Sequence, residues 1–271
     1  MGKLCFLSCL FTLIASYQQG PKMGFIRGFI QQEAVYEVPK EKALYTYNGS
    51  WKKIATRPDK NEVIQVTDSF TCYHSNGSNT DTLVYNYNNG KKEVFVRAGL
   101  SWLIVGTDGR ACYRDKANGK NIQYKKGETV TNLKIQGYPM DIVGSHLYYY
   151  QYQAVPADPE DLRAKIYDLD LDKPTAAPVL ILKNADGERL KVSADRKYML
   201  TGQTKSANAN DFYPLILDIK NQRISYIQID DDKLGNSYYS PKDSAFVFYG
   251  FQTMEKQVLK PSKLKYIPVN K

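Results

Sequence analysis

The chain holds two histidines, His74 and His146, and four cysteines. Acid–base chemistry needs a tuned histidine or convergent carboxylates, and covalent chemistry needs a nucleophile beside a base. Neither histidine sits in such a motif, and GxSxG does not occur. Both are read as structural or surface residues. Asp168, Asp170 and Asp172 alternate, so a strand would set them on one face, where they could hold a cation. The EF-hand glycine and closing glutamate are missing, and a solvated outer strand is the simpler account. The run Asp230-Asp231-Asp232 reads as a solvated loop. Neither GxGxxG nor GxxxxGK is present to cradle a phosphate. No catalytic residue, metal site or cofactor is expected.

Cys72 and Cys112 recur in matching surroundings, each followed by a tyrosine. Equivalent positions in stacked sheets lie ~10 Å apart, whereas a disulfide wants Cα atoms within ~7 Å. Buried free thiols are therefore expected, with a bridge as the alternative. No CxxC spacing points to zinc. Asn48-Gly49-Ser50 and Asn76-Gly77-Ser78 match the glycosylation sequon, but Asn-Gly is also what a tight turn requires.

The composition, 42% hydrophobic and 24% charged over 271 residues, excludes a mostly disordered chain, a collagen and a multi-span membrane protein. The net charge is +9, but the longest basic runs are pairs such as Lys52-Lys53, Lys91-Lys92 and Lys125-Lys126. That dispersion reads as a soluble surface with a basic bias, and no nucleic-acid partner is expected. Met1-Gly2-Lys3 precedes an apolar run, Leu4 to Ala15, closed by the small residue Ser16. This is a secretory signal pattern, assigned to residues 1–16. The run is short for a bilayer span, so the mature chain is expected to have none. The expected location is secreted, or periplasmic and cell-envelope; a lipid anchor on Cys9 is the weaker alternative.

The elements that must position any site are strands. From Leu44 onward, Tyr-, Val- and Ile-rich segments are broken by tight turns. One hairpin recurs around Asp68, Asp108, Gly144, Asp195 and Asp243, at steps of 36 to 51 residues. Between these lie third-strand segments near Leu44, Leu83, Asn121, Lys165, Leu215 and Lys263. Four strands at this period predict an all-β chain, a β-propeller of five or six four-stranded blades, six favoured. Six requires residues 24–40 to supply the first two strands of blade one. Residues 17–40 are thus an N-terminal segment or those strands, and 41–271 the propeller. Tyr45, Tyr85, Tyr124, Tyr167 and Tyr266, with Tyr73 and Tyr113, recur at matching places and are read as blade-packing residues.

Ser240-Pro241-Lys242-Asp243 and Ser193-Ala194-Asp195-Arg196-Lys197 resemble the strand–SPDG–strand hairpins of TolB-type and WD40-like propellers. Asp168-Leu169-Asp170 resembles the end of their third strand. Residues 121–150 are similar to blades of uncharacterised secreted bacterial propellers. No hairpin has the full SPDG, and the GH and WD dipeptides of WD40 repeats are missing. The resemblance implies the fold and carries no catalytic residue across.

The longest links join second and third strands: Ser75 to Asp81, Arg114 to Lys120, Tyr152 to Arg163, Gln203 to Asp211 and Phe251 to Ser262. Long polar loops at one end of a rigid scaffold are where ligands bind. Arg114, Asp115, Lys116, Lys120, Tyr152, Arg163, Lys205 and Asn210 are the candidate contacts. The expected function is an exported non-catalytic binding or scaffolding protein for a glycan, peptide or protein. The alternative is a secreted propeller enzyme acting on glycans as a hydrolase or lyase.

Overall fold

The computed structural model describes residues 24–47, 50–58, 61–77, 80–152, 163–204, 212–229, 233, 236–249 and 256–269. The expected signal segment, 1–16, lies outside them. Among the described residues the strands form successive antiparallel meanders. The first contains β1 (Phe25–Ile30), β2 (Glu33–Val38), β3 (Ala43–Tyr47) and β4 (Trp51–Thr56). The second contains β5 (Asn61–Val66), β6 (Phe70–Asn76), β7 (Asp81–Tyr87) and β8 (Lys92–Arg97). The third contains β9 (Ser101–Val105), β10 (Ala111–Arg114), β11 (Asn121–Lys126) and β12 (Thr129–Gln136). The fourth runs through β13 (Tyr138–Val143), β14 (His146–Tyr152), β15 (Arg163–Asp170) and the first half of β16 (Val179–Val192). The second half of β16 opens the fifth, followed by β17 (Tyr198–Thr204), β18 (Phe212–Asp218) and β19 (Arg223–Tyr226). The last has β20 (Ser237–Ser240), β21 (Ala245–Tyr249) and β22 (Lys256–Leu259).

The hairpins between first and second strands follow from their turn residues. Thr67 Oγ1 accepts the N–H of Ser69 and of Phe70, and Ser193 Oγ accepts that of Tyr198 while donating to Asp195. Ser240 Oγ likewise donates to Asp243 and accepts its N–H. These side-chain bonds close the turns that the sequence repeats.

Burial is graded across each meander. The second strand is covered on both faces: Leu147 to Tyr150 of β14 and Ala245 to Tyr249 of β21 are all buried. The outer β8 and β12 are mostly exposed and carry charges that discourage edge pairing. Each apolar cluster spans the junction of two consecutive meanders. Cys72 and Phe70 pack on Val105 and Ala111, Cys112 and Ile122 on Leu147 and Tyr149, and Leu200 and Ile216 on Phe246 and Phe248. A further cluster joins Tyr36 and Ala34 of the first meander to Tyr238 and Tyr249 of the last, closing a ring.

The last unit departs from the expectation. Lys263 to Ile267 was expected as its third strand, but β22 takes that place. Pro261–Lys263 is a 3-10 turn, and β23 (Ile267–Pro268) pairs with β19. Pro261 and Pro268 have no N–H to donate, so this stretch can lend only a short edge bridge. The link expected at 251–262 correspondingly shortens to 250–255, outside the described residues.

The first two meanders touch through β1 and β5, which pair in parallel where Gly28 meets Val66. Gly28 has φ +140, and a Cβ there would run into the Val66 carbonyl. Gly28→Ala is expected to cost ~1–3 kcal/mol from backbone strain alone, read as a lowered melting temperature. An unchanged melting temperature would show that the strands do not approach this closely.

Candidate functional site

The first strands of the meanders converge on an axial cavity of about 730 Å³, lined from β1, β5, β9, β13, the end of β16 and β20. Several of these strands carry a bulge. An extra residue sits between Ile26 and Gly28 in β1, between Val63 and Gln65 in β5, and between Pro139 and Asp141 in β13. In β9 the register slips between Ser101 and Ile104. A bulge re-aims side chains. Arg27, Ile64, Trp102 and Met140, which sit at these bulges, all line the cavity.

Trp102 is the exposed one, with φ +52 and 41% of its surface accessible. A bulky residue in the left-handed region is strained, and strain of this kind gathers at functional sites. Its indole meets Tyr138 edge to face at 4.7 Å. Tyr138 stacks on Tyr150 at 4.7 Å and 12°, and Tyr152 abuts both rings at 5.5 and 5.2 Å. The Arg114 guanidinium lies 4.6 Å over the Tyr138 ring. The result is an aromatic shelf with a fixed cation beside the cavity.

Polar groups continue the same end. Glu37, almost fully buried, is held by Arg27 at 2.8 Å and Arg57 at 3.1 Å, and Arg27 also reaches Glu62 at 3.2 Å. His74 pairs across the strands with Glu62 and lines the cavity. Its Nε2 is buried, stands 3.6 Å from Asp81 and has no hydrogen-bond partner. Asp81 instead accepts the Leu100 N–H at 2.6 Å. Asp141 accepts the Val192 N–H at 2.9 Å, and burial raises its pKa.

Arg114 and Tyr152, both expected as contacts, are brought together in the shelf. Lys116 and Lys120 are exposed on the neighbouring link. Asp115 is not a free contact: it is 6% exposed and accepts from the Asn118 N–H and Nδ2, both at 2.8 Å. The carboxylate shapes its own loop, because a short acidic side chain there satisfies turn donors before any ligand. Arg163 opens β15, one step past the Tyr152–Ala164 pair. Lys205 and Asn210 lie outside the described residues, as do Asp230, Asp231 and Asp232.

Trp102, Tyr138, Tyr150, Arg27, Glu62 and His74 were not among the expected contacts. The sequence signal for the three aromatic residues was the aromatic excess alone; His74 was read as structural or surface, and Arg27 and Glu62 gave no signal. Packing does explain Tyr85, Tyr124, Tyr73 and Tyr113, all buried. Two of the alternating aspartates are paired, Asp168 with His146 and Arg196, and Asp172 with Arg110 and Lys126. Among the described residues no three His, Cys, Asp or Glu side chains converge to hold a metal.

Cys72 and Cys112 are buried free thiols at different junctions. Burial pushes the Cys72 thiol up to about 12 and raises Cys112 as well.

No protein-family model matches the chain, and no curated protein does. Solved structures do match. An uncharacterized protein from Listeria monocytogenes aligns with a TM-score of 0.56 at 12% identity, over 91% of this chain and 82% of that one. The β-propeller domain of Myceliophteria thermophila Swd1 gives 0.53 at 10%, over 87% and 83%. An oligogalacturonate lyase from Vibrio parahaemolyticus gives 0.52 at 14%, over 84% and 73%. The chain is a β-propeller. The neighbours include an enzyme and a propeller domain with no activity in its name, so the likeness extends to the scaffold, and the meanders above are its blades.

Two outcomes follow from the buried groups. Asp141 holds its proton more tightly folded than at its unfolded value of 3.8. Its contribution to stability is therefore full below that value and is lost as pH rises through the folded value. Asp141→Asn keeps an acceptor for Val192 and should melt higher than the parent at neutral pH, with the advantage fading below pH 3.8. Equal melting temperatures at all pH values would contradict it. Separately, iodoacetamide should leave Cys72 and Cys112 unmodified in the folded protein and label both in guanidinium, read by peptide mass spectrometry.

Proposed function

We propose that this chain is an exported, six-bladed, non-catalytic propeller that binds a saccharide at the mouth of its axial cavity. The observation that carries the reading is Trp102: a bulge and a left-handed backbone hold its indole exposed beside Tyr138 and Arg114. An exposed flat ring braced by other rings suits stacking on a pyranose ring, and the nearby His74, Glu62 and Arg27 suit its hydroxyls. Export rests on the apolar run from Leu4 to Ala15 and Ser16 behind Lys3, and delivers the chain to the envelope or the extracellular space.

Calorimetry against a panel of oligosaccharides tests the site. Trp102→Ala should weaken binding by about tenfold or more, the usual scale for losing a tryptophan anchor, while the melting temperature stays close to the parent. Binding that survives this substitution would move the ligand elsewhere. One observation favours the enzymatic reading: His74 lines the cavity and its Nε2 has no hydrogen-bond partner, so a small shift of the ring would let it exchange protons with a bound sugar. Release of new reducing or unsaturated ends from the panel, abolished in His74→Gln, would establish a hydrolase or lyase in place of a binder.

A further inference from the structure

Beside the aromatic shelf the charges are one-sided. Arg97 ends β8, and its guanidinium lies 5.0 Å over the Phe95 ring. Four residues on, the link runs into Ser101 and Trp102. The Lys116 N–H bonds the Ala98 carbonyl at 3.4 Å, and its methylene stem lies across Gly99, which has φ +63 and no side chain to displace it. Lys120 closes the same link and accepts the Gly137 N–H at 3.4 Å, next to Tyr138. Arg114 completes the arc, facing Ser101 across the β9–β10 pair.

The carboxylates within this arc are turned inward. Asp81 accepts from Leu100 and Asp115 from Asn118, and both are buried. Among the described residues no ion pair joins Arg97, Arg114, Lys116 or Lys120 to a carboxylate. Other basic side chains are matched, as where Arg110 and Lys126 meet Asp172 and Lys197 meets Asp195. Like charges on one rim repel where no carboxylate pairs with them, and a bound anion relieves that repulsion. Backbone and aromatic contacts hold two of these cations in place, so little ordering entropy remains to be lost on binding.

We propose that the saccharide taken at this mouth is an acidic one, a glycan bearing carboxylate or sulfate groups, stacked on Trp102 with its charges met by Arg97, Arg114, Lys116 and Lys120. The inference rests on the saccharide reading above and adds the ligand's charge. A phosphate backbone fits less well, because the cations form a short arc beside one aromatic shelf and do not extend along a track.

The full chain is titrated with polygalacturonate, heparin, uncharged dextran and polyglutamate at low and high salt. The acidic glycans should bind at least about tenfold more tightly than dextran, with the preference shrinking as salt rises. Lys116→Gln with Lys120→Gln should erase most of that preference and leave the melting temperature unchanged, both side chains being exposed. Trp102→Ala should weaken every glycan that binds. Equal binding of dextran and the acidic glycans, lost in Trp102→Ala, would overturn the acidic preference and leave the saccharide reading standing. Binding of polyglutamate alone, or of nothing, would overturn both. Carboxylate and sulfate are separated by comparing polygalacturonate with heparin.

Discussion

Everything in this molecule depends on the last sheet meeting the first. Each sheet has two apolar faces, and only a closed ring covers both for every sheet. Here the seam joins residues far apart in sequence: Asn236 Nδ2 donates to the Gly24 carbonyl at 3.1 Å, 212 positions away. Phe29 meets Tyr238 at 5.2 Å, and Tyr36 meets Tyr249 edge to face at 5.5 Å. Closing so long a loop is less costly than it looks, since each doubling of length adds only ~0.6 kcal/mol. Aromatic pairs contribute ~0.5–1.5 kcal/mol each beyond the area they bury. The seam therefore holds on a few ring contacts, and without it Tyr36, Tyr238 and Val247 would face water.

Closure also makes the cavity. When sheets stack around an axis their first strands crowd together, and backbones must approach closely or be spaced by side chains. Gly28 against Val66 is the close approach, and Asp141 bonded to Val192 is a spacer of the second kind. The bulges relieve the same crowding and turn one residue per bulged strand toward the axis. The strain at Trp102 is tolerated because Tyr138 and Tyr150 brace its ring from the next blade. A binding surface built on inner strands inherits the rigidity of the whole ring, which a surface on the outer links would not.

How much of this was legible in the sequence follows from what is local. The hairpins at Thr67, Ser193 and Ser240 are bonded within five residues, so their turn chemistry can be read directly. The third strands alternate, cleanly in β7 and as far as Ile166 in β15, and were legible for the same reason. The bulges were not: a register slip is a relation between two strands, and nothing in Ser101-Trp102-Leu103 announces one. Nothing local therefore sets Trp102 apart from other apolar strand residues. The last blade misled for a different reason, since Leu264, Tyr266 and Ile267 have strand character that the flanking prolines overrule. Asp115 was legible as a loop residue but not as a buried one, because its partner Asn118 had to be seen folded around it.

The two histidines show why residue type alone does not separate structure from function. His146 Nδ1 lies 2.7 Å from Asp168, whose other oxygen takes Arg196 at 3.0 Å, and Arg196 also bonds the Tyr148 hydroxyl. Every member of that network answers another, and its effect is to lock a hairpin of one blade to the next. His74 has the same kind of neighbour, an aspartate, but Asp81 commits one oxygen to the Leu100 N–H and leaves the imidazole at 3.6 Å. That distance is beyond a hydrogen bond. A buried ring nitrogen without a partner costs free energy that packing alone does not return. His146 is therefore explained by the fold, whereas the fold gives His74 Nε2 no partner.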